Sequence, residues 1–445
     1  MSRFSNQNQG LDSDIWFSWN SLTVEAPPAQ PAYSGTFFDE TLRDGLQAPS
    51  VRNITLEQKL IMIDHMVRSG VRSADLGFPG SDPAALRECI ETAKWIVASG
   101  YPLVPGYAGR THPSDIRAIC EIAQAAGTLV DAYIFIGVSP IRQYVEQWDL
   151  GLIQQNIRKS VAECRRAGVE FVLVLEDAVR CTPGVLRGVY DVAVEAGIRR
   201  VTLCDTVGAA LPSGTESLIN WSNAYFSYHG YPMALEWHGH NDRGLALVNS
   251  LTAYALGCVR IHGTILGIGE RAGNASLDQL MLNSHLDGHG QYDLTALREY
   301  CEYAGNVLGV GIPGNYPAMG KNVFQTSAGV HASAIFKAHV KGSPSIKDAV
   351  YSSVPASLLG REQEVLIDAS SGTNNVKYWL LTNGYECDND DVIRRVLARA
   401  KEGRYPLTHE QIRRLVAGED AGQAIVTSLR DNVRAISRES QLLAG

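Results

Sequence analysis

The chain has 445 residues, 45% of them hydrophobic and 19% charged, which is enough apolar material for one large core plus a smaller unit and excludes global disorder. Its net charge of −8 argues against a nucleic-acid surface, which relies on Lys/Arg-rich patches, and leaves room for an anionic small substrate only where arginines line a pocket. Eight scattered cysteines with no CxxC pair read as reduced thiols, not as a disulfide framework or zinc ribbon. No apolar run reaches the ~18 residues of a membrane span, and "MSRFSNQNQGLDSD" lacks the apolar core of a secretory signal. A cytoplasmic protein without membrane contacts is expected.

Residues 1–35 are polar and end in the Pro-rich "EAPPAQPAYSG", an extended lead-in. Strand-like segments then recur at Phe37–Thr41, Ser73–Phe78, Leu103–Ala108, Leu129–Val138, Phe171–Leu175, Arg200–Cys204, Ala234–His240 and Arg260–Gly267. Most are near-continuously apolar, as strands buried on both faces must be. Helical stretches separate them. The first, "TLEQKLIMIDHMVRSG", opens on a Thr cap, carries Leu56, Leu60, Ile63 and Val67 on one stripe and stops at Gly70. Eight strand–helix units over 36–290 predict an α/β fold, a (β/α)8 TIM barrel, in preference to a doubly wound open sheet. After about residue 290 the alternation ends, and 291–445 reads as smaller helical C-terminal subdomains without a separate regulatory domain.

Barrel active sites lie at the C-terminal ends of the strands. The first strand runs into "DETLRDGLQ", the fifth ends at Glu176 and Asp177, the sixth in "CDTVG", the seventh in "HGHND" and the eighth in "GIGERAGN". His238 and His240 alternate on one strand and so share a face. With a carboxylate from another strand end they form a facial set suited to Zn, Mn or Mg, with open positions for substrate oxygens. A hydrogen-bonded core histidine is the plainer reading of either residue alone, but it does not explain the set.

The motifs "DETLRDGLQ", "GFPGSDP", "CDTVG", "HGHND" and "GTILGIGERAGNA" resemble, in order, those of the 2-isopropylmalate synthase and homocitrate synthase family. These are metal-dependent Claisen-condensing barrels in a superfamily that includes 3-hydroxy-3-methylglutaryl-CoA lyase. The resemblance implies Asp44, His238 and His240 as divalent-metal ligands, with Asn274 near or on the metal. It implies Arg43 at the developing oxyanions, Gln47 lining the site, Thr206 at the 2-oxo acid carboxylate and Glu176 at the junction with acetyl-CoA. Tyr133, Ser139, Val172 and Val174 are further substrate-binding candidates. In the helical region, His331 of "AGVHASAIFK" and Tyr351 of "AVYSSVPASLLGREQ" resemble the pair that enters the neighbouring subunit's site for proton transfer, so a homodimer is expected. Acetyl-CoA is the expected cosubstrate. A surface histidine and a packed tyrosine are the alternative readings of that pair.

Departures from the family pattern bear on the substrate. Gly239 stands where the family usually has Cys, Leu46 replaces a common polar residue, and Ser333 stands where relatives often carry Asp. Val172 and Val174 occupy, by register, the positions where homocitrate synthases grip the distal carboxylate of 2-oxoglutarate. A carboxylate against two valines suffers a desolvation cost of several kcal/mol. With Tyr133 where isopropylmalate synthases have His, this predicts an uncharged 2-oxo acid such as 2-oxoisovalerate, condensed to a 2-alkylmalate and CoA. The ending at residue 445 predicts no leucine inhibition through an added domain. The alternatives are a homocitrate- or citramalate-type synthase on another or specialised oxo acid, a metal-dependent hydroxyacyl-CoA lyase, and a non-catalytic barrel scaffold.

Overall fold

The computed structural model describes residues 35–419. The extension expected over 1–35 lies, apart from Gly35, outside these residues, as does the end of the helical region. Eight strands, β1 (Thr36–Asp39), β2 (Ser73–Asp75), β3 (Val104–Arg110), β4 (Asp131–Gly137), β5 (Glu170–Glu176), β6 (Arg200–Asp205), β7 (Ala234–Gly239) and β8 (Arg260–Gly263), close in sequence order into a parallel barrel. The seam pairs β1 with β8, Phe38 beside His262, and β6–β7 register sets Cys204 beside His238. The expected (β/α)8 barrel is thus the observed one.

Around the barrel run α1 (Leu56–Ser69), α2 (Pro83–Ser99), α3 (Pro113–Ala126), α4 (Pro140–Glu146), α5 (Leu150–Ala167), α6 (Pro183–Glu195), α7 (Pro212–Tyr228), α8 (Ala246–Ala255), α9 (Leu277–Leu286) and α10 (Leu294–Leu308). Their ends follow from sequence. Thr55 and Gln58 form a reciprocal capping box on α1, which stops at Gly70 with φ 110°. Asp82 and Asp149 cap α2 and α5, and each helix ends on a left-handed glycine. The inward stripe of α1 buries Met62, Ile63 and Met66 completely, each contributing roughly 1.5–3 kcal/mol over exposure.

Three local differences from the sequence reading have physical causes. The second strand ends at Asp75, because the Asp75 carboxylate turns back to accept from the Gly77 N–H. The eighth ends at Gly263, and Ile265–Gly267 coils into a 3-10 turn with Leu266 at φ 56°. Helix α4, capped by Ser139 with Pro140 at its start, is an extra turn inside the β4–α5 connection.

The described residues divide into two compact units, 35–319 and 320–419. Helix α10 belongs to the first: its Tyr300 hydroxyl donates to the buried Asp39 carboxylate at the end of β1, at 3.0 Å. The sequence boundary at 290 therefore precedes a helix that the barrel keeps. The second unit pairs β9 (Gln325–Thr326) with a later strand and continues through α11 (Gly329–Val340), α12 (Pro344–Ala349), β10 (Glu364–Val365), α13 (Thr373–Thr382), α14 (Asp390–Glu402) and α15 (His409–Ala417). Its core gathers Ile367, Val376, Trp379, Ile393, Val396 and Ile412. Buried Asn375, from "SSGTNN", donates to the carbonyls of Ser327 (2.7 Å) and Leu366 (2.9 Å), tying the strand ends to α13.

Candidate metal and substrate site

Period-two alternation turns one column of each strand into the barrel. Glu40 follows β1; Asp75 comes from β2, Ala108 from β3, Tyr133 and Phe135 from β4, Val174 and Glu176 from β5. Cys204 and Thr206 continue the column of β6, His238 and His240 that of β7, and His262 that of β8. They line a cavity of about 290 Å³ at the catalytic rim.

Asp44, His238 and His240 converge there with one potential ligand atom each within 4.8 Å of the others. Asp44 Oδ2 lies 3.6 Å from His240 Nε2 and 4.0 Å from His238 Nε2. Burial, and then the neighbouring His238, push His240 down to about 4, so its imidazole is neutral and able to ligate. Burial alone would raise Asp44, but Arg43 together with His238 and His240 brings it below the ordinary carboxylate value. Asn274 donates to Asp44 through Nδ2. Its Oδ1 and the His240 Nδ1 are buried without a partner. Two buried polar atoms without partners, beside a carboxylate and a second imidazole, fit a divalent cation.

The loop that delivers Asn274 depends on two glycines. Gly273, at φ 84°, would bring a Cβ within 1.9 Å of the Gly267 carbonyl, and at Gly269 a Cβ would sit 2.7 Å from Asn274 Oδ1. That is the physical content of the second and third glycines in "GIGERAGN".

Beneath the triad lies a network that sequence reasoning missed. Glu40 accepts from His238 Nδ1 at 2.6 Å and bonds His262 Nδ1 at 3.0 Å, and its Oε1 pairs with Arg43 at 2.8 Å. Glu236 bonds the other nitrogen of His262 at 3.0 Å. Burial would raise Glu40, yet His238, Arg43 and His262 hold it well below the carboxylate range. Burial would likewise lower His262, but Glu40 and Glu236 lift it to about 9. Glu40 leaves His238 Nε2 to face Asp44, the carboxylate–histidine arrangement that orients metal ligands. Glu40, His238 and His262 also lie close enough to hold an ion, but Glu40 is already spent on both rings and Arg43. The signal was present: stepping back by two from His238 reaches Glu236, and β8 places His262 in the inward column.

Arg43 donates to Glu40, Asp44 and Asp75 at 2.7–2.8 Å through three different nitrogens, fixing Asp44 as well as facing the cavity. Burial keeps Asp75 at about 6 despite that arginine. Glu176 pairs with Arg142 at 3.0 Å, and burial raises it above the ordinary carboxylate value. Gln47 and Thr206 both line the cavity, the Thr206 hydroxyl accepting from the Asp177 N–H at 2.8 Å.

The far wall is apolar: Phe78, Ala108, Tyr133, Phe135 and Val174. Tyr133 presents its ring, stacked on Phe38 at 4.5 Å, while its hydroxyl accepts from Arg260 below at 2.7 Å. Val172 is buried deeper, in the cluster with Phe38 and Tyr133. Ser139 lies apart from the lining; it is buried and accepts from the Arg142 N–H as the cap of α4. The two arginines that reach the cavity, Arg43 and Arg271, are already bound to carboxylates, Arg271 to Asp242 at 2.8 Å.

In the second unit, His331 and Tyr351 come together with ring centroids 4.1 Å apart, and both are exposed. Ser333 accepts from Asn374 Nδ2 at 2.7 Å. Among the described residues no helix is long and apolar enough to cross a membrane.

A model of the HMGL-like family matches residues 35–303. A 2-isopropylmalate synthase of Methylacidiphilum infernorum is 30% identical over 369 residues, 80% of this chain and 69% of that one. A probable 2-isopropylmalate synthase of Ignicoccus hospitalis is 31% identical over 372 residues, 82% and 86% of the two chains. Among solved structures, an HMG-CoA lyase of Acinetobacter baumannii, in complex with coenzyme A and 3-methylmalate, shares the fold with a TM-score of 0.53 at 19% identity, over 63% of this chain and 93% of that one. A family match across the whole barrel, joined to a metal-ligating triad at its catalytic rim, identifies the protein as a metal-binding enzyme of the HMGL-like family.

Proposed function

We propose that the protein carries out metal-dependent Claisen chemistry, condensing acetyl-CoA with a 2-oxo acid whose side chain is uncharged and apolar, 2-oxoisovalerate being the best candidate. One observation carries the reading: the Asp44–His238–His240 triad faces an apolar wall on which, among the described residues, no uncommitted cation lies. Kinship with proteins named 2-isopropylmalate synthase, at 30% and 31% identity, supports the direction of condensation.

Asp44, His238 and His240, with Asn274 beside them, hold the cation in this reading. Bound there, a divalent ion supplies Lewis acidity to the oxo acid's carbonyl and carboxylate oxygens. Glu40 keeps His238 in the tautomer that leaves Nε2 for ligation. Arg43 retains N–H groups for the oxygen on which charge develops, in a buried setting where such donors count for more than in water. Glu176, raised by burial, is placed to hold or pass a proton near the thioester. Thr206 and Gln47 bind the oxo acid's carboxylate end, and Phe135 and Val174 receive its side chain. His331 and Tyr351 are assigned proton transfer as a closely apposed pair, Tyr133 a shape-setting role, and the protein works as a homodimer.

The experiment is mass-spectrometric product analysis with acetyl-CoA and a panel of 2-oxo acids, with metal and after chelation. The reading expects 2-isopropylmalate and free CoA from 2-oxoisovalerate, and neither after chelation. Cleavage of a 3-hydroxyacyl-CoA without condensation on any oxo acid would instead establish a lyase.

A further inference from the structure

A second cavity, of about 780 Å³, opens at the opposite, N-terminal mouth of the barrel, among the first residues of β3 to β6. It carries four arginines, Arg165, Arg199, Arg200 and Arg260, against the carboxylates of Asp131 and Glu170. Two of the arginines form its inner end. Arg200 and Arg260 clamp Asp131 at 2.6 and 2.7 Å. The hydrogen bonds of Arg260, to Asp131 and to the Tyr133 hydroxyl, and its longer 3.9 Å pairing with Glu236 all come from Nη1, and its guanidinium lies over the Phe38 ring at 5.6 Å; Nε and Nη2 make no hydrogen bond among the described residues. At the outer end, Arg199 lies over the Tyr231 ring at 5.2 Å, and Arg165 donates to the Ala196 carbonyl at 2.6 Å. Neither meets a carboxylate among the described residues. Barrel floors ordinarily serve stability, and the Asp131 clamp does so. Around the same cleft, Arg165 and Arg199 bring two charges that no carboxylate pairs with among the described residues, and Arg260 brings unused N–H groups.

The inner end of this cavity is continuous with the metal site. Arg200 reaches Glu236 at 3.3 Å, Glu236 bonds His262 at 3.0 Å, His262 bonds Glu40 at 3.0 Å, and Glu40 bonds the metal ligand His238 at 2.6 Å. Arg260 adds a second route through Tyr133, whose ring lines the catalytic cavity.

We propose that the N-terminal mouth of the barrel is an effector site for a small organic oxyanion, a carboxylate or phosphate, held by Arg165, Arg199 and Arg260 and coupled to His238 through the buried Glu236–His262–Glu40 chain. Guanidinium forks match both anion geometries. An anion that draws Arg260 toward itself loosens its hold on Asp131, which Arg200 shares, and its 3.9 Å pairing with Glu236, and the change passes inward along the buried Glu236–His262–Glu40 contacts to His238. By linkage the effect is reciprocal: metal bound at the rim alters anion affinity at the floor by the same factor.

The test needs no assumption about the reaction catalysed. Inorganic phosphate and malonate are titrated calorimetrically into the full-length protein, against chloride at matched ionic strength, and Mn²⁺ affinity is measured with and without the better probe. The comparison variant is Arg165→Gln/Arg199→Gln, two exposed positions outside the catalytic cavity. The expected result is saturable binding of at least one probe, weakened about tenfold or more in the variant, with a shift in Mn²⁺ affinity that the variant loses. Preference for phosphate or malonate tells a phosphorylated effector from a carboxylate one. Binding no stronger than chloride, or equal in the variant, overturns the site. Variant-sensitive binding that leaves Mn²⁺ affinity unmoved overturns the coupling.

Discussion

Replacing Glu40 with Gln tests the network beneath the triad. The carboxylate accepts at Oε2 from His238 (2.6 Å) and at Oε1 from His262 (3.0 Å) and Arg43 (2.8 Å). An amide has the same size but only one acceptor atom. If its oxygen keeps His262 and Arg43, its NH2 points at His238 Nδ1. His238 must then surrender its Nδ1 proton, and neutral imidazole moves that proton to Nε2, the atom facing Asp44. If the amide flips, His238 is served and both cations below are left against an NH2 group. Loss of such an orienting carboxylate costs about 10–100-fold in metal affinity, or roughly 1.4–2.8 kcal/mol. Leaving a buried cation short of its partner lowers folding stability by roughly 3–5 kcal/mol in the unfavourable case. Mn²⁺ titration of wild type and Glu40→Gln, with folding of the variant checked by circular dichroism, reads the first effect separately from the second. A folded variant with wild-type Mn²⁺ affinity would refute the orienting role.

Three further outcomes follow from other parts of the molecule. His262 is raised to about 9 by Glu40 and Glu236 against burial. Its contribution to stability is therefore full below the ordinary histidine value near 6.5 and is lost as pH rises through about 9, a loss of a few kcal/mol. Urea midpoints of chelated protein across that window should fall more steeply for wild type than for His262→Gln, and parallel curves would show that the imidazolium contributes nothing. Val174→Arg puts a guanidinium on the apolar wall. The kcat/KM ratio of 2-oxoglutarate to 2-oxoisovalerate should rise by about a hundredfold or more, and a ratio that stays put means this wall does not read the side chain. Asn375→Ala strands the Ser327 and Leu366 carbonyls and the Gly372 N–H, which bonds Asn375 Oδ1 at 3.0 Å. The second unit should lose about 3 kcal/mol by denaturant unfolding, and an unchanged midpoint would contradict the tie.

The barrel was legible because its strands are buried on both faces and therefore read as apolar runs separated by capped helices. The triad was legible because His238 and His240 lie two apart on one strand and "LRDG" marks a rim. What escaped was non-local. Glu40 meets its histidines across 198 and 222 residues, and a lone acid near a strand end carries no mark of such a partner. Glu236 shares the face of His238 and so was readable from the strand period, but which residues it meets, His262 and Arg200, is set only when the barrel closes. Leu266 bent the chain away from β8 at a positive φ that its own preferences argue against, so the strand read too long. Helix α10 resembled the helices after it, and what joins it to the barrel is non-local: the Tyr300–Asp39 bond, the Arg68–Glu299 ion pair and the His65 ring against Tyr300.

In the proposed function the Asp44–His238–His240 triad binds a metal that presents an apolar 2-oxo acid to acetyl-CoA. Its most direct measurement is free-thiol release from acetyl-CoA, followed side by side with 2-oxoisovalerate and 2-oxoglutarate, before and after chelation and on return of Mn²⁺. Release is expected to be faster with 2-oxoisovalerate, abolished by chelation and restored by the metal. Release that is faster with 2-oxoglutarate, or indifferent to chelation, would contradict it.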